Sequence, residues 1–273
     1  MKLKVSFGSP RVWRQYAYTI ALLSAIASFY FIVVEVPPAE HRKYIVAATT
    51  LLILVYVGIW LRANFKRTVK LSINNSSLII KTGDVFQEDG LKAIAFNEYF
   101  DTEVDERIIS KSSLNGQYIT RLYPNNVHDL DSRIVADTHL KDVKADTNSQ
   151  RRNGKKVKYN LGSVFLDGDY LLVAFSRFDE SNRAELTLKE YVSCMLNFWD
   201  EVDKIYANRS VTVPLMGAGI TRFKDADVQP QELLSILIWT FKISRVKFKH
   251  PANATIIIHD SISDKINFFE LGN

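Results

Sequence analysis

The stretch of residues 211–223 holds the residue types and spacing best suited to recognising a ligand. It begins with Val-Thr-Val, a β-branched run typical of a buried strand, and Gly217-Ala218-Gly219 follow before a later helix. Glycine lets the backbone approach a ligand closely, and successive amides in such a turn can hold phosphate oxygens. A glycine turn between strand and helix also occurs for purely structural reasons. The segment alone leaves both interpretations open.

Polar residues also end two earlier strands. Asp84 follows a strand at residues 77–82, and Asn97 ends a strand that begins at Lys92. An acidic, aromatic-rich loop that includes Tyr99 and Asp101 comes next. Open α/β sheets bind ligands at the carboxyl ends of their central strands. The alternative is that Asp84 only caps a turn and Asn97 only closes a strand.

Several familiar chemistries are missing from the sequence. The five histidines show no metal-ligand spacing with one another or with the single Cys194. No Gly-x-Ser-x-Gly elbow, phosphate-loop lysine motif or Gly-x-Gly-x-x-Gly motif occurs, and no acidic pair stands out as acid and base. We therefore predict a domain that binds rather than reacts, with no catalytic residue, no metal and no cofactor.

The elements around these residues predict an α/β domain. Thr187 and Glu190 form a capping box, and Pro230 suits the first position of a second, largely apolar helix. Asp167-Gly168 predicts a β-hairpin turn, residues 254–259 an inner strand, and residues 104–112 a short helix. Cys194 falls within the first of these helices, where we expect it to pack. Strands that alternate with helices, together with hairpins, indicate three α/β/α layers around a mixed sheet.

Residues 151–158 form a basic run, Arg-Arg-Asn-Gly-Lys-Lys-Val-Lys. Such a run could contact phosphates or anionic lipid headgroups. The alternative, which we favour, is a solvated hairpin tip with Asn153-Gly154 in the turn.

Two charge-free runs near the N-terminus predict a transmembrane hairpin. Residues 16–34 and 44–61 are each near the length of a membrane-spanning helix, and Pro37-Pro38 lie in the loop between them. A cleaved signal peptide fits less well, because no small-residue cleavage pattern follows the first run. A buried hairpin in a soluble protein is the other alternative. The net charge of +5 fits membrane flanks better than a nucleic-acid groove, and the lone cysteine fits a reducing compartment.

Basic residues flank both runs and set the expected orientation. They precede the first span and follow the second, whereas the glutamates of the loop offset its Arg42 and Lys43. The basic residues outside the loop are Lys2, Lys4, Arg11, Arg14, Arg62, Lys66, Arg67 and Lys70. We expect both termini in the cytoplasm. The expected domains are a cytoplasmic segment at 1–15, spans at 16–34 and 44–61, a linker at 62–70 and a globular domain at 71–273.

The sequence resembles a known family. Gly83-Asp84-Val85, a strand that ends in Asn97, and the run from Pro214 to Phe223 occur in the order found in the macro domain. The wider pattern, with two membrane helices in front, resembles the transmembrane macro-type effectors of Thoeris anti-phage defence over nearly the whole chain. The macro fold binds ADP-ribose and its derivatives.

This resemblance implies a set of ligand-binding residues. Asp84 and Val85 would hold the adenine, Asn97 would lie near the distal ribose with Tyr99 and Asp101 beside it, and the loop from Leu215 onward would hold the diphosphate. The loop residues implied are Leu215, Gly217, Ala218, Gly219, Ile220, Thr221 and Arg222. Macro domains that hydrolyse ADP-ribose linkages commonly have a second asparagine where Phe100 and Asp101 stand and a glycine triplet where residues 112–114 are Ser-Ser-Leu. These departures argue against hydrolysis.

The resemblance further implies a mechanism. A partner protein with a TIR domain converts NAD into an ADP-ribose messenger, here expected to be its histidine conjugate. Messenger binding would drive homo-oligomerisation in the bacterial inner membrane, disrupt the lipid bilayer and produce abortive infection, with no nucleic acid involved. A membrane-tethered ADP-ribosyl hydrolase using Asn97 and Asp101, and a structural anchor that binds nothing, are the alternatives.

Overall fold

The computed structural model describes residues 3–35 and 37–272, which divide into two compact units. One unit contains the chain up to Val69 together with the segment from Ile266 onward, and the other contains Lys70–Lys265. The predicted flanking charge at Lys2 lies outside the described residues.

The helices and strands follow one another along the chain within these ranges. The helices are α1 (Pro10–Val33), α2 (His41–Phe65), α3 (Leu114–Leu122), α4 (Val127–Ala136), α5 (Thr138–Asp142), α6 (Leu188–Ile205), α7 (Pro230–Ile243), α8 (Asp260–Ser263) and α9 (Phe268–Leu271). The strands are β1 (Thr68–Ile73), β2 (Ser76–Thr82), β3 (Leu91–Asn97), β4 (Lys144–Thr147), β5 (Val157–Tyr159), β6 (Val164–Asp167), β7 (Tyr170–Phe178), β8 (Ala184–Leu186), β9 (Val211–Pro214), β10 (Arg222–Phe223) and β11 (Ala254–Ile258).

Helices α1 and α2 are both long and apolar enough to cross a membrane. The mean hydropathy is 1.8 for Pro10–Val33 and 2.2 for Pro38–Phe65, and the side chains are exposed over almost the whole length of both segments. A helix satisfies its own backbone hydrogen bonds, so an apolar surface of this kind suits lipid. The two helices indicate membrane association. Both helices are longer than the predicted spans at 16–34 and 44–61, because α1 begins at Pro10 and α2 continues to Phe65.

The N-terminal segment before α1 packs against the last turns of α2. The Asn64 Oδ1 atom accepts hydrogen bonds from the backbone amides of Lys4 and Val5 at 2.8 and 2.9 Å. Trp60 Nε1 donates to the Val5 carbonyl at 2.9 Å, and the Phe7 ring meets the Tyr56 ring edge-on at 4.8 Å. These contacts fix the start of the chain at the base of the hairpin.

The C-terminal segment belongs to the same unit. Arg11 Nη1 donates to the carbonyl oxygens of Glu270 and Gly272 at 2.5 and 3.0 Å. Asn267 Nδ2 donates to the Lys4 carbonyl at 3.3 Å, and Phe269 packs against the buried cluster around Tyr56. Both ends of the described chain therefore contact the base of the hairpin.

The second unit is built on a mixed sheet, as predicted. Its strand order is β1-β2-β11-β9-β3-β7-β8-β10, with β6 paired to β7. Strand β11 runs parallel to β2 and β9, β3 runs parallel to β9 and β7, and β6 and β8 are antiparallel to β7. Strands β4 and β5 form a separate two-stranded sheet. Asn74 and Asn75 both have positive φ, which suits the tight turn between β1 and β2.

Helices cover both faces of this sheet. Leu172 and Ala174 of β7 pack with Ile134 and Leu140 from α4 and α5, whereas Phe175 meets Tyr191 of α6 with ring centroids 5.9 Å apart. Successive strand residues point to opposite faces, so one strand contributes to both cores. The predicted three-layer α/β/α arrangement is confirmed.

The prediction of a short helix at residues 104–112 is wrong. Asp105 accepts the amides of Arg107 and Ile108 at 2.9 and 2.7 Å, and such local side-chain bonds compete with a helix. The helix begins instead at Leu114, where the Ser113 hydroxyl accepts the Gly116 amide at 3.2 Å. A Cβ on Gly116 would lie 2.1 Å from the Ser110 carbonyl oxygen, so this close approach requires glycine.

Candidate functional site

A cavity of about 350 Å³ lies at the carboxyl ends of β2, β11, β9 and β3. Its volume is in the range of small-molecule sites, and its position is where open α/β sheets bind ligands. Nine of the predicted site residues line it: Asp84, Val85, Asn97, Leu215, Gly217, Ala218, Gly219, Ile220 and Thr221. Three distant parts of the sequence thus meet at one site.

Asp84 stands at one end of the cavity, just after β2. Its Oδ1 accepts the backbone amide of Phe86 at 3.0 Å and so caps a single 3-10 turn at Val85–Gln87. The Gly83 amide donates to the Ile258 carbonyl at 3.1 Å, which ties this turn to β11. Asp84 therefore serves the structural role considered above and also presents a carboxylate to the cavity.

The glycine loop after β9 forms the middle of the cavity. The Leu215 amide donates to the Ile257 carbonyl at 3.0 Å, and the Ala218 amide closes the turn onto the Leu215 carbonyl at 3.4 Å. Gly217 has φ +85°, and a Cβ there would lie 3.2 Å from the Phe223 ring. Within the described chain the Gly219 and Ile220 amides have no hydrogen-bond partner. These two N–H groups are available to donate hydrogen bonds to an anion.

The start of α3 faces the same cavity. Ser113, Leu114 and Asn115 line it together with the glycine loop. The first amides of a helix favour negative charge. Over residues 3–35 and 37–272 no lysine or arginine lines the cavity.

Asn97 lies at the end of β3 with its side chain held in one orientation. Its Oδ1 accepts the amides of Tyr99 and Asp101 at 3.0 and 3.2 Å, and its Nδ2 donates to Asp101 Oδ2 at 2.9 Å. An ionised carboxylate only accepts, so the atom facing it must be the nitrogen. The second Nδ2 hydrogen of Asn97 takes no part in these bonds.

Asp101 is buried and its carboxylate is fully used. It accepts hydrogen bonds from Asn97 Nδ2, from both terminal nitrogens of Arg151 and from the Lys155 amide. A carboxylate has about four lone-pair positions, so these donors account for all of them. Asp101 holds neighbouring protein groups together and does not line the cavity.

Tyr99 and Arg222, the other predicted ligand contacts, also lie outside the lining. Tyr99 is buried beneath the guanidinium of Arg151, 3.8 Å from its ring centroid, and its hydroxyl accepts a hydrogen bond from Asn148 at 3.2 Å. Arg222 lies in β10, exposed, beside Glu185 of β8. Their contact with a ligand stays a prediction.

The basic segment 151–158 is not simply a solvated tip. Asn153-Gly154 do lie in the connection between β4 and β5, but the Arg151 side chain is only 7% exposed. Its partner Asp101 lies 50 positions away in the sequence, and no sequence pattern connects the two residues. Sequence reasoning missed Arg151 for that reason.

Other reactive groups lie outside the site. Burial raises the pKa of the Cys194 thiol well above its usual value, so the thiol stays protonated in the core as expected. In the part of the chain that the structure describes, no group of three or more His, Cys, Asp or Glu residues is arranged to hold a metal ion.

Comparisons with known proteins identify the family of this chain. Residues 78–259 match the family model described as Thoeris protein ThsA, macro domain. The Thoeris protein ThsA of Bacillus amyloliquefaciens (strain Y2) is 43% identical over 265 residues, which cover 96% of this chain and 89% of that protein. Among solved structures, the Oceanobacillus iheyensis macrodomain with ADP gives a TM-score of 0.45 at 11% identity, covering 72% of this chain and 90% of its own. A mutant of that macrodomain with ADPR gives 0.45 at 12% identity, covering 72% and 92%. By the family match and the extent of the identity to the Bacillus protein, the chain belongs to the ThsA family of Thoeris proteins.

Proposed function

We propose that this protein is a membrane-anchored effector whose macro domain binds an ADP-ribose-derived messenger. The observation that carries the proposal is the order of groups along the cavity. Asp84 stands at the end of β2, the glycine loop follows β9, and Asn97 ends β3. An acceptor, an anion-binding loop and an amide in this order suit an adenine, a diphosphate and a ribose.

The spacing of the strands supports a ligand of this size. Strands β2 and β3 are separated by β11 and β9, and three strand spacings amount to about 14 Å. An extended nucleotide diphosphate sugar spans such a distance, whereas a mononucleotide would leave one end of the cavity empty. The adenine amino group would donate to the free oxygen of Asp84, and Asn97 Nδ2 would donate to a ribose oxygen.

The diphosphate is assigned to the glycine loop. The amides of Gly219 and Ile220 and the start of α3 line the cavity between Asp84 and Asn97. Oriented amides stabilise an anion without the cost of desolvating a charged side chain. The Ile220 side chain is 70% exposed, so it is available to cover a bound ligand.

We propose binding without turnover. The hydrolase alternative would use Asn97 and Asp101, but the lone pairs of Asp101 are filled by four protein donors. A general base must reach the proton that it removes. The buried Asp101 lacks both a free lone pair and a place in the cavity lining, which supports a sensor rather than an enzyme.

The messenger is proposed to be histidine-ADP-ribose, made from NAD by a TIR-domain partner. Membership of the ThsA family supports a Thoeris system, and the cavity supports an ADP-ribose core. We further propose that binding drives homo-oligomerisation of the α1–α2 hairpins in the bacterial inner membrane, with both termini in the cytoplasm. A hundredfold preference of the ligand for the assembled form would supply about 2.7 kcal/mol per protomer. Membrane disruption and abortive infection would follow.

Calorimetry on the full chain in detergent micelles tests the binding step. ADP-ribose and its histidine conjugate are titrated separately, and each mixture is then analysed by chromatography for hydrolysis. Tight binding of the conjugate without product supports the proposal. Product formation would show that the protein is an ADP-ribosyl hydrolase. Absence of binding heat with both nucleotides would favour a structural anchor that binds neither.

Assembly and membrane action need a separate test. The protein is reconstituted into dye-loaded vesicles, and its mass distribution and the release of dye are measured with and without the conjugate. We expect a higher-order species and release only with ligand. Release that is equal without ligand would contradict ligand control.

A further inference from the structure

A buried ion pair lies just behind the cavity. Arg151 Nη2 and Nη1 donate to Asp101 Oδ2 and Oδ1 at 2.6 and 3.1 Å, and the two side chains are 7% and 1% exposed. The guanidinium also stacks on the Tyr99 ring at 3.8 Å. A two-pronged pair of this kind has a fixed geometry, because the planar guanidinium fits a carboxylate in one way.

Arg151 joins three separate segments. Its Nη2 also donates to Asn182 Oδ1 at 2.9 Å in the turn between β7 and β8, and its Nη1 donates to the Lys155 carbonyl at 2.6 Å in its own hairpin. The β4–β5 hairpin is otherwise a sheet of its own. Backbone and side-chain bonds from Asn148, Lys155 and Tyr159 also join the hairpin to the segment after β3, but only Arg151, among these residues, also bonds to Asn182 in the β7–β8 turn.

Residues that border two of these segments line the cavity. Asp101 accepts the Nδ2 hydrogen of Asn97 at 2.9 Å, so the orientation of Asn97 depends on where Asp101 is held. The cavity also reaches beyond Asn97 to Phe178 and Ala184 at the two ends of the β7–β8 turn. The Phe178 ring lies 5.9 Å from the Arg151 guanidinium carbon. Among the described residues, Arg151 makes no hydrogen bond or ion pair with Asp84 or with the glycine loop.

We propose that Arg151 is a positioning residue for the end of the cavity beyond the diphosphate. Through Asp101 it orients the Asn97 amide, and through Asn182 it fixes the Phe178 and Ala184 wall. It therefore sets the affinity for the distal ribose and for any group attached to that sugar, while the adenosine end is held independently. This inference rests on the proposed function, because it assigns the Asn97 end of the cavity to the distal sugar.

A purely structural role for Arg151 would change the ligand affinities in a different way. Replacing Arg151 by lysine keeps the positive charge beside Asp101 but removes the fork that reaches Asp101 and Asn182 together. If the pair only stabilised the fold, this change would weaken every ligand alike through the unfolded fraction. If Arg151 orients the distal end of the cavity, the loss of affinity is larger for a ligand that includes the distal ribose than for one that lacks it.

The experiment compares ADP-ribose with ADP, which lacks the distal sugar. Affinities of the full chain in detergent micelles are measured by calorimetry for wild type and Arg151→Lys, with Arg152→Lys as the exposed neighbouring control. We expect Arg151→Lys to bind ADP-ribose about tenfold more weakly, or ~1.4 kcal/mol. We expect ADP binding to stay within about twofold and Arg152→Lys to match wild type.

Asn182→Ala provides a second variant that leaves the buried charges paired. It should weaken ADP-ribose binding by a smaller factor and leave ADP binding unchanged, even if Arg151→Lys does not fold. Equal losses for ADP and ADP-ribose in the folded variants, or no loss at all, would overturn the inference. If wild type binds neither nucleotide, the proposed function itself fails, which is a distinct result.

Discussion

The carboxylate of Asp84 and the amide of Phe86 are joined by a hydrogen bond of 3.0 Å, which uses Oδ1 and leaves Oδ2 without that partner. One residue thus both caps a turn and offers an acceptor to the cavity. The two roles can be separated by substitution, because an amide side chain caps as well as a carboxylate does.

Asp84→Asn should keep the cap through its Oδ1 and present an NH₂ group where the adenine amino group would need an acceptor. We expect ADP-ribose binding to weaken by about 1.5–3 kcal/mol, since hydrogen bonds to charged groups contribute that much. Calorimetry measures the loss, and thermal denaturation should show an unchanged midpoint. Unaltered affinity would remove Asp84 from the site.

Gly217 and Gly219 should respond differently to the same substitution. Gly217 has φ +85° and lies close to Phe223, so Gly217→Val should destabilise the fold by about 1–3 kcal/mol. Gly219 has no atom within 4 Å of its Cβ position. Gly219→Val should therefore leave stability nearly unchanged and weaken nucleotide binding by filling space at the loop. Urea denaturation and calorimetry are compared for both variants, and the reverse pattern would contradict the assignment of the loop.

Asp167 should contribute an acid-sensitive part of the stability. Burial alone would raise its pKa, but hydrogen bonds from Arg133, Tyr118 and Tyr123 outweigh burial and hold the pKa below its usual value. A carboxyl whose pKa is lowered by folding stabilises the protein above the unfolded pKa of about 4 and loses this effect as the pH falls toward the folded pKa.

The free energy of unfolding of Asp167→Asn should therefore lie below that of wild type at pH 7, and the gap should narrow at pH 3. Urea denaturation at both pH values measures the gap. Asp169→Asn is the control, because Asp169 is exposed and follows in the same hairpin turn. If this difference in the free energy of unfolding is the same at both pH values, the charge of Asp167 does not contribute to stability.

Charged residues in the hairpin should prevent membrane association. An arginine at the centre of a spanning helix costs about 2.5–3.5 kcal/mol, so Leu23→Arg together with Leu54→Arg should move the protein out of the carbonate-resistant membrane fraction and abolish toxicity. Leu166→Arg, on the exposed face of β6, is the matched control. A double variant that stays in the membrane and remains toxic would count against membrane action.

Local signals in the sequence predicted most of the fold. The Thr187–Glu190 capping box, Pro230 at a helix start and the hairpin turn before Tyr170 each act within a few residues, and the structure contains all three. The same local logic located Asp84, Asn97 and the glycine loop, because each follows a recognisable strand.

The rest depends on contacts between distant positions. The Arg151–Asp101 pair joins residues 50 positions apart, and nothing near either residue indicates the other. A helix was predicted at residues 104–112, whereas the helix begins at Leu114 and depends on the close approach of Gly116 to the Ser110 carbonyl, which helix propensity does not indicate. Such interactions become visible only when the chain is folded.

A short covalent connection leads from the cavity lining to the last described segment of the chain. Ile262 lines the cavity, and the unit that contains the hairpin resumes at Ile266, so only Ser263, Asp264 and Lys265 lie between them. A tether of this length extends to about 14 Å at most. A glycine-serine insertion after Ser263 would lengthen this covalent connection without replacing a residue that lines the cavity or one that Arg11 holds.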